Sequence, residues 1–68
     1  SRPGNGQSLQ LYAFDRQGSQ GDVAGKRPGC TAMIGRAKYD AWAGVKGTST
    51  DEAMKKYVAL VKALLAAE

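Results

Sequence analysis

This 68-residue chain is predicted to be all-α, a small bundle of helices. Apolar residues recur at offsets of three and four in three separate stretches, the period of a helix with one face turned inward. Glycine-rich breaks separate those stretches, and the connection at residues 25–31 shows no strand pattern. Short loops between three amphipathic helices make a bundle the natural architecture.

The first stretch runs from about Asn5 to Gln20. Leu9, Tyr12, Ala13 and Arg16 share one helical face, with Leu11 and Phe14 on an adjoining one. Gly6 and Gly18 weaken this helix, each by about 1 kcal/mol relative to alanine. Gly21 offers a stop. Arg27-Pro28-Gly29 then marks a turn, because proline removes a backbone donor and glycine allows positive φ.

The middle helix is expected from about Ile34 to Lys46, with Ile34, Ala37, Ala41, Trp42 and Val45 as its apolar stripe. Lys46-Gly47 should end it, since a cation suits the negative end of the dipole and glycine takes the left-handed cap readily. The last helix has the strongest pattern. Ser49-Thr50-Asp51-Glu52 forms a capping box, in which the Ser49 hydroxyl accepts from the Glu52 N–H and the Glu52 side chain reaches back. Asp51 and Glu52 also place negative charge at the favourable end of the dipole. Beyond them Met54, Tyr57, Val58, Val61, Leu64 and Leu65 draw an apolar face to the end of the chain.

A chain this short makes one domain with a small core, and its hydrophobic content of 43% with only 7% aromatic residues leaves that core to alanine and leucine. No stretch reaches the apolar length of a membrane span, and residues 1–8 lack the layout of a secretory signal. A cytoplasmic protein without stable membrane insertion is the reading that follows. Cys30 is the single cysteine, which excludes an internal disulfide, and the absence of histidine removes the ordinary zinc spacings. The formal charge of +4 favours an anionic partner. Nucleic acid, acidic lipid and a small polyphosphate all satisfy it.

Tyr12 and Arg16, spaced i,i+4, can grip a phosphate beside a flat base, with guanidinium forking onto phosphate and the ring offering stacking area. By pattern alone a core-edge tyrosine beside a solvated arginine is the simpler account. Lys38 emerges between Ala37 and Ala41, one turn before Trp42. Its default role is to snorkel, stem on apolar surface and head in water. Tyr57 falls on the apolar face of the last helix, where core packing alone would explain it, and Trp42 is assigned to the core.

The segments Ala37-Lys38-Tyr39-Asp40-Ala41-Trp42, Val45-Lys46-Gly47-Thr48-Ser49 and Ala53-Met54-Lys55-Lys56-Tyr57, in this order, carry more. Together with Leu11-Tyr12, Arg16-Gln17, Gly21-Asp22 and Arg27-Pro28-Gly29, they resemble the acyl-coenzyme A binding protein family from about Arg2 to Leu64. The resemblance implies a single acyl-CoA-binding domain over residues 1–68 with three of the family's four helices. Arg2-Pro3-Gly4-Asn5 looks like the link between the family's first and second helices, so the domain is expected to be N-terminally incomplete. The first helix was never encoded, has been removed, or lies in polypeptide outside these residues.

The resemblance also assigns residues to the ligand. Tyr12 and Arg16 stand where the family uses tyrosine and lysine against the adenine and 3′-phosphate, Lys38 keeps the family's lysine, and Tyr57 borders the ligand. Asp15 departs from the pattern, because the family usually has a second aromatic there. Phe14 is rotated away by a quarter-turn or more and does not replace it. A carboxylate at that position opposes phosphate binding by about 1 kcal/mol in high dielectric.

Function follows as non-enzymatic binding and intracellular carriage of long-chain fatty acyl-CoA thioesters, with acyl-CoA as ligand and no cofactor. The chain has no G-x-S-x-G elbow and no P-loop, and Cys30 has no recognisable base nearby. Two other readings compete: a basic helical module that binds nucleic acid, which the resemblance disfavours, and a shortened protein-interaction domain without ligand. The absent helix is expected to leave an apolar face on the last helix, open to self-association or to cover from residues beyond this sequence.

Overall fold

Helices α1 (Asn5–Gln20), α2 (Met33–Ala43) and α3 (Thr50–Ala66) follow one another along the chain. The computed structural model describes residues 5–67, and no strand occurs among them. The expected interhelical link at Arg2-Pro3-Gly4 lies outside the described residues. Helix α1 is the middle of the assembly: α2 and α3 both pack on it and do not pack on each other.

Local sequence accounts for the ends of these helices. Gly21 adopts φ 82°, and its N–H donates to the Gln17 carbonyl at 3.1 Å, which closes α1 at the predicted stop. Helix α3 opens on its expected cap, with the Glu52 N–H donating to Ser49 Oγ at 3.1 Å and Asp51 and Glu52 in the first turn. Helix α2 starts at Met33 and ends at Ala43, short of the expected Lys46. Past Ala43 the bonds tighten to the i−3 pattern, from the Val45 N–H to the Trp42 carbonyl and from the Lys46 N–H to the Ala43 carbonyl. Gly47 then turns the chain at φ 92°, the left-handed conformation expected of it.

Gly18, a weak helix residue on local grounds, has a tertiary reason to be there. A Cβ at this position would overlap Met54 Sδ and lie 2.7 Å from Met54 Cγ, so the missing side chain leaves the room that the Met54 side chain occupies. On the same interface Lys56 Nζ stands 5.9 Å from the centre of the Phe14 ring. Phe14 is thereby turned toward α3.

The interior is small. Among the described residues the fully buried side chains are Ala13, Ala53 and Gln17. The apolar stripe expected along α3 is divided by the fold: Tyr57, Leu60, Val61 and Leu64 are half-buried beside the fully covered Ala53, whereas Met54, Val58 and Leu65 are exposed. Ile34 corrects another expectation, since it was placed in the α2 core stripe and is instead 75% exposed. It occupies the second position of α2, where the chain has just left the loop and no other helix covers it. Trp42 is half-buried rather than enclosed.

One buried amide organises both loops. Gln17 is 1% exposed, and its Nε2 donates to the Thr48 carbonyl at 2.7 Å and to Asp22 Oδ1 at 2.8 Å. Its Oε1 accepts from Trp42 Nε1 at 3.2 Å, and the same indole N–H reaches the Gly21 carbonyl at 2.9 Å. Asp22 Oδ1 also accepts from the Gly47 N–H at 2.9 Å. The end of α1, the indole of α2 and the loop before α3 therefore share one hydrogen-bonded knot. The Gly47 N–H, then the Gln17 amide, hold the Asp22 carboxyl below the usual carboxylate range, with the charge of Lys46 adding to the effect.

A second tie fixes the long loop to α2. Arg27 Nε and Nη2 donate to the two Asp40 oxygens at 2.7 and 2.6 Å, a forked pair, and Tyr39 Oη donates to the Gly25 carbonyl at 3.1 Å. The hydrogen bond to Arg27 pulls the Asp40 carboxyl downward, and the reciprocal bond raises Arg27. Both side chains are roughly half exposed, so this pair fixes geometry more than it stabilises.

Candidate functional site

Tyr12 lies in the third turn of α1, half-buried on the side that meets α2. Two cations converge on its ring. The Arg16 guanidinium carbon, one turn further along α1, is 5.3 Å from the ring centre, and Lys38 Nζ, from α2, is 5.4 Å from it. Both distances fall within the range in which a cation is attracted to an aromatic face. Spacing on one helix predicts the first contact. The second exists because α2 packs across α1.

Arg16 is half-buried, and its Nε is buried without a hydrogen-bond partner. A guanidinium N–H held out of water and unsatisfied costs free energy unless an acceptor arrives. Lys38, by contrast, is exposed and free to reach outward.

An apolar groove of about 480 Å³ begins beside this cluster, lined by Ser8 and Leu9 of α1 and by Met33, Ile34, Ala37 and Lys38 of α2. Its lining is mostly apolar, with Ser8 and Lys38 as its polar members. The arrangement joins a charged, ring-bearing end to an open apolar groove, which suits an amphiphile with an anionic head and an aliphatic tail.

Asp15 is exposed on the turn of α1 between Tyr12 and Arg16. Phe14 faces α3 through its contact with Lys56 and leaves the Tyr12 side without a second ring from this turn. Tyr57 is half-buried on α3, and the ring–cation contacts that gather Tyr12, Arg16 and Lys38 do not include it. A second shallow surface of about 410 Å³ lies on α3 itself, along Met54, Lys55, Val58, Ala59 and Lys62. Among the described residues, no cluster of three or more acidic, cysteine or histidine side chains is placed to hold a metal ion, and no helix is long and apolar enough to cross a membrane.

Comparison with known proteins decides the family. The family model described as "Acyl CoA binding protein" matches residues 1–61. The chain belongs to the acyl-CoA-binding protein family. An "Acyl-CoA-binding protein" of Brassica napus is 50% identical over 66 residues, covering 97% of this chain and 72% of the relative. The "Acyl-CoA-binding protein homolog 1" of Caenorhabditis elegans is 45% identical over 64 residues, with 94% and 74% covered. Among solved structures, that of Oryza sativa Acyl-CoA-Binding Protein 2 superposes with a TM-score of 0.93 at 39% identity, over 97% of this chain and 73% of the other. The all-α reading and the resemblance drawn from the dispersed motifs both agree with these matches.

As a member of the acyl-CoA-binding protein family, this chain has one feature that sequence reasoning passed over. Within Arg16-Gln17 the glutamine gives no inward signal of its own, since glutamine is ordinarily a surface residue. Its position one step after Arg16, on a helix whose buried face includes Ala13 at i−4, is the signal that it points inward.

Proposed function

We propose that this chain binds fatty acyl-CoA thioesters, with the nucleotide end held by Tyr12, Arg16 and Lys38 and the acyl chain laid along the groove lined by Leu9, Met33, Ile34 and Ala37. The observation that carries this reading is the convergence of two cations on a single half-buried ring, one of them, Lys38, also lining an open apolar groove. Family membership supports it independently. In this scheme the Tyr12 ring offers a stacking face for adenine, Arg16 brings its guanidinium charge to phosphate, and Lys38 contributes a point charge on the rim. Tyr57 borders the bound molecule from α3. Asp15, close to both Tyr12 and Arg16 in sequence, tempers affinity for phosphate.

The work done is sequestration and delivery rather than reaction. Family members are binding proteins, and no step in the scheme makes or breaks a bond. We place the chain in the cytoplasm as a carrier of activated long-chain acids. Because each buried methylene contributes about 0.8 kcal/mol, affinity should climb with acyl length until the groove is filled.

Calorimetric titration with coenzyme A, a short acyl thioester and a long one tests the assignment. Affinity that rises from the first to the last supports it. The absence of binding by the long thioester, or equal affinity for all three, would defeat it.

A further inference from the structure

Met33 and Ile34 are 76% and 75% exposed, more than any other large apolar residue described. They are neighbours in sequence, stand at the first two positions of α2, and no acidic residue occupies that first turn. The charge around them is one-sided. Residues 23–39 carry four cations, Lys26, Arg27, Arg36 and Lys38, and no carboxylate. Two contacts keep this loop beside the helix start: Arg36 Nη1 donates to Cys30 Sγ at 2.9 Å, and the Pro28 ring lies 3.7 Å from where a Cβ of Gly35 would be. Of the four cations, Arg27 is paired with Asp40.

We propose that this tip of α2 docks on the surface of an anionic lipid bilayer. The spacing fits that environment. Lys38 follows Ile34 by four residues, on the same face and along the same groove, which sets its Cα about 6 Å further along the helix axis. Apolar side chains of interfacial helices sink about 5–10 Å into the boundary of headgroups and acyl chains, so Met33 and Ile34 reach that boundary while Lys38 and Arg36 stay level with the phosphates. A second copy of this chain suits the surface less well, because it would bring the same uncompensated cations face to face. Nucleic acid would leave both apolar side chains in water.

Co-sedimentation of the ligand-free protein with phosphatidylcholine vesicles, with and without phosphatidylserine, tests the proposal. Binding should require phosphatidylserine and weaken as salt is raised. Ile34→Asp and Met33→Asp should each lower partitioning by about tenfold or more. Aspartate in the first turn of a helix is favourable, so both variants keep their helical signal in circular dichroism. Val58→Asp, which places the same charge on the open face of α3, should leave vesicle binding unchanged. Equal binding to neutral vesicles, no binding to anionic ones, or insensitivity to both α2 substitutions would overturn the assignment. So would loss of binding in Val58→Asp, and so would a protein that ignores vesicles and instead forms dimers abolished by Ile34→Asp.

Discussion

Gln17 Nε2 donates to the carbonyl oxygen of Thr48 across 2.7 Å, joining the last full turn of α1 to the residue that precedes the cap of α3. Thirty-one positions separate the two residues in the chain. The bond is one of three through a side chain only 1% exposed, so Gln17 sets how the loops on either side of α2 meet. Since those loops carry α2 at both ends, Gln17 indirectly fixes where Lys38 stands relative to Tyr12.

Gln17→Leu fills nearly the same volume but leaves the Thr48 carbonyl, Asp22 and Trp42 short of a partner. Loss of about 1–3 kcal/mol is expected, given the usual cost of buried groups without partners. Denaturant unfolding followed by circular dichroism measures it, and an unchanged midpoint would show that the knot does not stabilise the fold.

Arg16→Ala and Lys38→Ala should each weaken long-chain thioester binding by about 1–3 kcal/mol while the helical signal stays intact. Arg16→Lys should recover part of the loss, because it restores charge without the fork. Calorimetry reads both effects. Wild-type affinity in both alanine variants would clear these residues of any role.

Asp15→Tyr removes a carboxylate from the exposed turn between Tyr12 and Arg16 and supplies a ring in its place. Affinity for the thioester should rise by about 1 kcal/mol or more, from the lost repulsion alone. An unaltered dissociation constant would mean that position 15 does not face the bound nucleotide.

Acid should loosen the fold through Asp22 and Asp40. Both carboxyls are held below their ordinary value of 3.8 in the folded chain, so the stability they contribute is present above about that pH and is lost as pH falls through their lower folded values. Thermal melts from neutral pH down to about pH 2 should show a falling midpoint, and the gap between wild type and Asp22→Asn should close as the acid limit is approached. A gap that stays constant across that range would remove Asp22 from the account.

Gly18→Leu sets a side chain against Met54 where α1 and α3 come together. The gain in helix propensity is outweighed by overpacking, for an expected net loss of about 1–3 kcal/mol. Met54→Ala in the same chain should return part of it. Equal stability of the single variant and the wild type would mean that the interface can open at no cost.

Local chemistry was enough to write the helices down. The Ser49 hydroxyl caps the helix whose first turn holds Glu52, Gly21 and Gly47 turn left-handed where a stop was needed, and the motif around Lys38 to Trp42 named a family. Such signals are readable because each depends on groups only a few residues apart. The Tyr12–Arg16 contact belongs to the same class, being a matter of one helical turn. Folding had to supply the rest. It brought Lys38 over the same ring from 26 positions away, turned Gln17 inward, left Ile34 in solvent, and gave Gly18 its purpose opposite Met54. An apolar stripe tells that a helix has a side to bury, but not which neighbour covers it or how far along the cover extends. That choice belongs to the packing of α2 and α3 on α1, and no window of sequence contains it.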